Sequence, residues 1–167
     1  MIVFDASTLI LLTRSELVDS FLRNTAQAVM IPAEGERECC KVKRSFDALR
    51  IGRFIEEERI RVVRVQDRRL LRRLTADFPM GKGEAEAVAL MMEIHADLLA
   101  VDDRQGINAC KLLRLPFTTA INLLLAMRER GWICFEDAEQ KLAALEKIGR
   151  YRREIVEDAR RRLEETK

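Results

Sequence analysis

Acidic side chains stand at two points of this sequence where an apolar, strand-like run ends. Asp5 directly follows the run "IVF", and Asp102 and Asp103 directly follow the run "LLAV". A charge at the tip of a buried strand is costly unless it is paired or binds a ligand. Carboxylate oxygens are the ligands that Mg²⁺ and Mn²⁺ prefer, so these acids are candidates for a metal site that assists hydrolysis.

Glu84 is a third candidate because of its position on a predicted helix. At about 100° per residue, the helix that begins at Gly83 places Glu86, Glu93 and Asp97 on one face. This face is predicted to be exposed to solvent, with Glu86 as its solvent-facing acid near the helix start. Glu84 lies on the opposite, apolar side and is predicted to point toward the protein interior.

Glu38 is a fourth candidate, on the segment "EGERECCKVKRSFDAL". Helical spacing places Cys39, Val42, Phe46 and Leu49 on one apolar stripe. Glu38 lies roughly 60° from the centre of that stripe, which predicts that its carboxylate borders the core; the alternative is that this offset places the carboxylate in water.

Carboxylates from these places would repel one another and raise several pKa values if they met. A positive charge is then needed among them, either an arginine or, as oxygen ligands favour, Mg²⁺ or Mn²⁺. Each acid also has an ordinary structural interpretation, because Asp5 could cap a helix and Glu84 could interact with a helix dipole. Either Asp102 or Asp103 could cap the helix that follows them. The candidate metal ligands are Asp5, Glu38, Glu84, Asp102 and Asp103.

Other catalytic chemistries have few candidate residues. His95 is the single histidine, which excludes a zinc site with several histidines in one chain and leaves one candidate base for Ser-His-Asp or Cys-His catalysis. The four cysteines show no C-x-x-C spacing and are predicted to be reduced, mostly buried thiols: Cys39, Cys40, Cys110 and Cys134.

The elements that must position the acids alternate along the chain. Strands are predicted at residues 2–4, 28–31, 60–65 and 98–101, with a weaker one at 116–118. Helices are predicted at 9–22 after an N-cap at Ser7 or Thr8, twice within 36–57, after Asp67, and at 84–95, 104–113, 119–130, 135–148 and 150–165. This alternation predicts an α/β fold, a parallel sheet in an α/β/α sandwich, whose ligands bind beyond the carboxyl ends of the strands.

Arginines are concentrated in one segment that begins near the third predicted strand. Residues 59–73 contain seven arginines and one acid, Asp67, although the net charge of the chain is only +2. This segment is either a phosphate-contacting surface or a solvated helix and strand edge. The predicted nucleic-acid contacts are Arg68, Arg69, Arg72 and Arg73.

The length of 167 residues suits one compact domain. No apolar stretch approaches the roughly 18 residues of a membrane span, and an acid at position 5 argues against a signal peptide. We therefore expect a cytoplasmic protein that does not bind membranes. The expected organisation is a catalytic domain over residues 1–133 and a C-terminal helical extension over residues 134–167, packed on the domain or extending from it.

Taken together, four motifs resemble those of the PIN domain, the fold of the VapC-type toxin ribonucleases. They are "IVFDAST", "IPAEGERE", "GKGEAEAVALM" and "LLAVDDRQGINA", and the resemblance continues to about residue 130 through "TTAINLLLAMRERGWI". It implies a PIN-like α/β/α fold. It also implies that Asp5, Glu38, Glu84 and Asp103 are the catalytic, metal-binding acids, with Asp102 competing for the last place and Ser7 as a hydrogen-bond partner. Two positions depart from the family pattern: Gly35 replaces a hydrophobic residue between Pro32 and Glu38, and "FTTA" replaces a turn that contains glycine.

The resemblance implies a Mg²⁺- or Mn²⁺-dependent endoribonuclease that hydrolyses RNA phosphodiester bonds, with the toxin of a toxin-antitoxin pair as one such role. It also implies a homodimer and a small antitoxin protein as a partner, neither of which one sequence shows. The alternative function is a PIN-like module that binds RNA or protein with little or no cleavage. A phosphatase or receiver-like acidic pocket is a third reading, but it needs a lysine near the acids, and Lys82 and Lys111 are poor candidates.

Overall fold

Five parallel strands form one sheet in this protein, whose computed structural model describes residues 1–41 and 45–166. The strands are β1 (Ile2–Phe4), β2 (Val29–Pro32), β3 (Arg61–Val63), β4 (Leu98–Ala100) and β5 (Phe117–Thr118), in the order β3-β2-β1-β4-β5. In register, Val3 of the central strand β1 lies between Met30 and Leu99. The predicted parallel sheet is confirmed, and each strand overlaps the apolar run that predicts it.

Helices connect the strands and cover both faces of the sheet. They are α1 (Ala6–Arg14), α2 (Val18–Asn24), α3 (Ala33–Glu36), α4 (Phe46–Glu56), α5 (Arg68–Asp77), α6 (Lys82–Ile94), α7 (Arg104–Leu113), α8 (Ala120–Glu129), α9 (Phe135–Ile148) and α10 (Arg153–Glu165). The single helix predicted over 9–22 is wrong, because Glu16 adopts a φ of 58°, in the left-handed region, and this separates α1 from α2. No described helix is long and apolar enough to cross a membrane.

Apolar side chains are buried on both sides of the sheet. Ile2 and Phe4 belong to one cluster, which includes residues of α1, α2, α4, α8, α9 and α10. Val3, between them, belongs to a second cluster with residues of α5, α6 and α7. Because successive strand residues point to opposite faces, a strand covered on both sides must be apolar throughout, as "IVF" is. The predicted α/β/α sandwich is therefore confirmed.

The C-terminal helices share the core of one face of the sheet. Leu142 and Leu145 of α9 and Val156 and Leu163 of α10 are all buried in the same cluster as Phe4. Both helices pack on each other and on α8. The segment thus packs onto the first 133 residues, while the boundary at residue 133 stays a prediction.

The predicted apolar stripe next to Glu38 does not form as one helical face. Cys39 is buried, but Phe46 and Leu49 are 77% and 73% exposed. The reason is that Ser45 has an extended backbone, with φ of −112° and ψ of 165°, so α4 is not a continuation of the helical turn before it. Val42 lies outside the described residues.

Candidate active site

Asp5 is a buried carboxylate at the carboxyl end of the central strand. It is 2% exposed and caps α1, accepting from the Ser7 N–H at 3.1 Å and also from the Ser7 hydroxyl. The N-cap predicted at Ser7 or Thr8 is therefore wrong, since α1 begins at Ala6. Burial raises the pKa of Asp5 and the charge of Asp102 raises it further, while the hydrogen bonds from Ser7 oppose this rise.

Asp102 and Asp103, adjacent in sequence, have different surroundings. Asp102 is mostly buried; its Oδ1 accepts from the Tyr151 hydroxyl at 2.6 Å and its Oδ2 accepts from the Ala120 N–H at 2.9 Å. Burial raises the pKa of Asp102, and these two hydrogen bonds partly offset that effect. Asp103 is exposed and caps α7 by accepting from the Gln105 N–H at 2.7 Å. Of the two residues predicted as possible caps of the following helix, Asp103 is therefore the one that caps it.

Glu84 lies in the first turn of α6 and is half-buried. Its Oε2 accepts from the Gly81 N–H at 3.0 Å, which satisfies a backbone donor at the helix start. Burial, opposed by the Gly81 hydrogen bond and assisted by the charges of Asp103 and Asp5 and by a hydrogen bond with Asp103, raises the pKa of Glu84 to about 7. The prediction that Glu84 points inward is consistent with these contacts.

Glu38 reaches the same region from a π-helical turn, Arg37–Lys41, that follows α3. Its carboxylate lies against Gly83, where an added Cβ would stand 2.6 Å from Oε2. Only glycine permits this close approach at the start of α6. Burial raises the pKa of Glu38, and the charges of Asp5 and Glu34 raise it further.

The acids therefore share one edge of the sheet, and Asp5 is central among them. The charge of Asp5 acts on Glu38 and Glu84, and that of Asp102 acts on Asp5. Every donor in the set is a carboxylate oxygen, the type that fits a hard divalent cation. Within residues 1–41 and 45–166, no three His, Cys, Asp or Glu side chains are already arranged to hold one metal ion.

Glu86 is an acid that the helical pattern misplaces. It is 7% exposed instead of solvent-facing, and its Oε2 accepts from the Glu34 N–H at 3.0 Å. The helix α6 packs against the sheet, α3, α5 and α7, so no broad solvent face exists for Glu86 to occupy. Glu34, also missed, is 6% exposed and forms ion pairs with Arg37 and Lys82, the latter at 2.8 Å.

The predicted arginine surface begins at the end of α5 that is distant from the acids. The exposed side chains Arg68, Arg69, Arg72 and Arg73 all lie on α5. The Asp67 N–H at the start of α5 donates to the Glu93 carboxylate at 3.0 Å, near the end of α6. Since Glu93 follows Glu84 by nine residues, this end of α5 is roughly 13 Å along α6 from Glu84. Arg68 and Arg69 are therefore remote from the acidic edge.

The two departures from the family pattern have local structural reasons. Gly35 is buried, and an added Cβ would stand 2.9 Å from Cγ1 of Ile31, so a larger side chain has no room there. In the "FTTA" turn, Thr119 caps α8 by accepting from the Asn122 N–H at 3.3 Å, and Thr118 is buried.

Sequence reasoning missed Tyr151, which contacts Asp102 from 49 positions further along the chain. No spacing rule links a residue between α9 and α10 to the end of β4. The one available signal was its rarity, since Tyr151 is the single tyrosine in a charged C-terminal segment.

A comparison with protein-family models supports the resemblance. The model named DUF3368, described as a PIN domain, matches residues 1–165. Comparisons with curated proteins and with solved structures found no match. PIN domains are generally nucleases and typically use divalent metal ions. With this match across the sequence and the acids at the edge of the sheet, the chain belongs to the PIN domain family.

Proposed function

We propose that this protein is a cytoplasmic endoribonuclease that hydrolyses RNA phosphodiester bonds with Mg²⁺ or Mn²⁺. The observation that carries the proposal is the set of buried or half-buried carboxylates at one sheet edge whose pKa values are raised, in part by one another. The residues that would hold the ion are Asp5, Glu38, Glu84 and Asp103, with Asp102 as an alternative or additional ligand.

The side chains of this site have distinct tasks in the proposal. A bound divalent ion supplies positive charge at the phosphate and makes water more acidic. Ser7 orients Asp5 by donating to one of its oxygens from both the backbone and the hydroxyl. Glu84 and Asp103 share a hydrogen bond that favours a proton on Glu84, and a cation held by these two acids would require Glu84 to lose that proton.

Basic residues near the acids would hold the RNA backbone. Arg37 directly precedes Glu38, and Lys82 stands two residues before Glu84; these two basic side chains are 55% and 65% exposed. Their shared partner, Glu34, fixes both beside the acidic edge. The arginines of α5, Arg68, Arg69, Arg72 and Arg73, would contact RNA further from the point of cleavage.

The decisive test compares two Asp→Asn substitutions at helix N-caps. Asp5→Asn and Asp67→Asn both keep a capping side chain, because asparagine caps as well as aspartate. Asp67 caps α5 far from the acids, by accepting from the Arg69 and Leu70 N–H groups. Purified variants are incubated with fluorescent RNA or single-stranded DNA, with Mg²⁺, Mn²⁺ or a chelator.

Wild-type protein and Asp67→Asn are expected to cleave RNA only when metal is present, while Asp5→Asn binds RNA but does not cleave it. Cleavage by Asp5→Asn, or cleavage in chelator, contradicts the proposal. RNA binding by wild-type protein without cleavage under any metal favours the alternative, a PIN-like binding module. Preferential cleavage of DNA would support the proposed nuclease activity but contradict RNA as its substrate.

A homodimer and a small antitoxin partner belong to this proposal as well. The exposed side chains of Phe46 and Leu49 on α4 support an interface, since large apolar side chains are usually buried. Sedimentation of wild-type protein and of Phe46→Ser/Leu49→Ser tests this part separately from cleavage. A dimer that persists in the variant contradicts an interface at α4.

A further inference from the structure

We infer that Tyr151 is a positioning residue, whose hydroxyl holds the Asp102 carboxylate in the orientation that binds the metal ion. This inference rests on the proposed function and extends it to the C-terminal segment. It adds a residue that lies beyond every motif of the acidic set.

The geometry at Asp102 fixes both carboxylate oxygens. The Tyr151 hydroxyl donates to Oδ1 at 2.6 Å, and the Ala120 N–H at the start of α8 donates to Oδ2 at 2.9 Å. Two donors from different elements prevent the carboxylate from rotating about its last bond. A carboxylate has about four acceptor positions, so one held by these donors can also bind a cation.

Tyr151 is itself held firmly between α9 and α10. Gly149 permits its ring to lie against the backbone at the end of α9, because a Cβ at residue 149 would overlap the ring. Val156 and Ala159 of α10 are buried in the core and anchor the helix that follows Tyr151. Burial and the charge of Asp102 raise the pKa of Tyr151 above its usual range, so the hydroxyl keeps the proton that it donates.

The opposite role is inhibition, in which the hydroxyl of Tyr151 blocks the Asp102 carboxylate and so prevents the metal ion from binding; we call this a plug. The two roles predict opposite effects of removing the hydroxyl. Partners that orient metal ligands typically contribute 10- to 100-fold to metal affinity or activity. A plug would instead reduce both metal affinity and activity until the Tyr151 side chain is displaced from Asp102.

The test uses Tyr151→Phe, which keeps the ring, in the full-length protein. Its matched control is Ser20→Ala, which removes another hydroxyl hydrogen bond, the one from Ser20 to the Trp132 carbonyl. Mn²⁺ binding is measured by calorimetry without RNA, and kcat and KM are measured on RNA. A metal-independent check of folding is the unfolding midpoint of each variant in chelator.

A second measurement needs no substitution. Because Tyr151 is the only tyrosine, protein labelled with 3-fluorotyrosine gives one ¹⁹F signal that reports on this contact alone. Mg²⁺ is expected to shift this signal and paramagnetic Mn²⁺ to broaden it. An unchanged signal in protein that does bind Mn²⁺ overturns the inference, even if Tyr151→Phe does not fold.

For Tyr151→Phe we expect Mn²⁺ binding to weaken about 10-fold or more and kcat to fall with KM unchanged, while Ser20→Ala behaves as wild type. Wild-type affinity and kcat in Tyr151→Phe overturn the inference and leave the proposed nuclease intact. Tighter binding or faster cleavage overturns it in favour of a plug. If wild-type protein neither binds Mn²⁺ nor cleaves RNA, the proposed function fails and this inference fails with it.

Discussion

Two sets of buried carboxylates in this protein are compensated differently, although Glu34 and Glu38 are only four residues apart. Glu34 is 6% exposed and lies between Arg37 and Lys82, whose hydrogen bonds and charges lower its pKa to about 2. Asp5 is 2% exposed, and burial and a neighbouring carboxylate raise its pKa. The chain therefore neutralises one buried acid with its own cations, while the acids at the sheet edge gather further negative charge.

This difference distinguishes an acid that stabilises the fold from the acids that we propose to bind a metal ion. A buried carboxylate with two cationic partners stabilises the fold, because its charged form is preferred in the native state. Carboxylates that repel one another destabilise the native state until an external cation enters. The acidic edge thus carries a cost that metal binding would relieve, and each prediction below tests that contrast.

The largest effect is expected on catalysis, from Glu84→Gln compared with Glu34→Gln. Loss of the Glu84 charge should slow metal-dependent RNA cleavage at least about a hundredfold, since even partners of metal ligands contribute up to that amount. Glu34→Gln should retain cleavage within about tenfold, because it loosens Arg37 and Lys82, which would hold RNA, but removes no proposed metal ligand. Single-turnover rates on labelled RNA measure both. Equal losses in the two variants would remove the distinction between the acids.

The second effect is on stability in the absence of metal. Here Glu34→Gln is expected to have the larger effect and Glu84→Gln the smaller one, the reverse of their effects on catalysis. Glu34→Gln should lower the free energy of unfolding by about 1–3 kcal/mol, because it weakens charged hydrogen bonds to Arg37 and Lys82. Glu84→Gln should leave it unchanged or raise it at pH 7.5, because it removes a repelling charge. Denaturant unfolding followed by the fluorescence of Trp132, the single tryptophan, measures both. A Glu84→Gln protein as destabilised as Glu34→Gln would contradict the prediction.

Much of the fold could be predicted from the sequence because its strands are short apolar runs that end in turns or charges. "IVF" and "LLAV" could only be buried on both faces, and the acids after them had to lie at the same edge of a parallel sheet. The positions of Asp5 and of the Asp102 and Asp103 pair followed from this topology. The helix-capping role of Asp5 and Asp103 could be stated only as an alternative.

The errors arose where tertiary packing overrides helical periodicity. Glu86 has the spacing of a solvent-facing residue, yet α6 is surrounded by other elements. The buried carboxylate of Glu86 accepts a hydrogen bond from the Glu34 N–H. Phe46 and Leu49 have the spacing of core residues, yet the break at Ser45 turns them outward. A helical wheel assumes one continuous helix with one solvent face, and neither assumption holds here.

The third effect is a pH dependence that distinguishes the two sets of acids. The pKa of Glu84 rises from 4.5 to about 7 on folding, so between these values the native state binds more protons than the unfolded state. Its contribution to stability is therefore lost as the pH rises through this window. Glu34 has the opposite sign, since its lowered pKa contributes stability above pH 4.5 that is lost as the pH falls toward 2.

In chelator, the unfolding midpoint of wild-type protein should fall relative to that of Glu84→Gln between pH 5 and about pH 8. Added Mn²⁺ should restore it at the alkaline end, since a ligand that binds only the native state stabilises it. Thermal unfolding of both proteins at matched ionic strength measures the difference. Parallel pH curves for the two proteins would show that Glu84 does not titrate as the structure indicates.

The smallest effect is expected from adding one methyl group beside Glu38. In Gly83→Ala the new Cβ would stand 2.6 Å from Oε2 of Glu38, so the carboxylate must move away from the start of α6. Cleavage should fall by up to about tenfold while the fold is retained, because the moving group is the end of a flexible side chain. Gly52→Ala is the matched control in α4, where an added Cβ meets nothing within 4 Å.

Gly52→Ala should leave cleavage unchanged and stabilise the protein by roughly 0.5–1 kcal/mol through helix propensity. The unfolding midpoints of both variants in chelator show whether a loss of activity in Gly83→Ala comes from unfolding. If the rate of Gly83→Ala equals that of Gly52→Ala, the position of the Glu38 carboxylate does not matter for cleavage. The functional set would then consist of Asp5, Glu84 and the pair after β4, and Glu38 would join Glu34 as an acid that serves the fold.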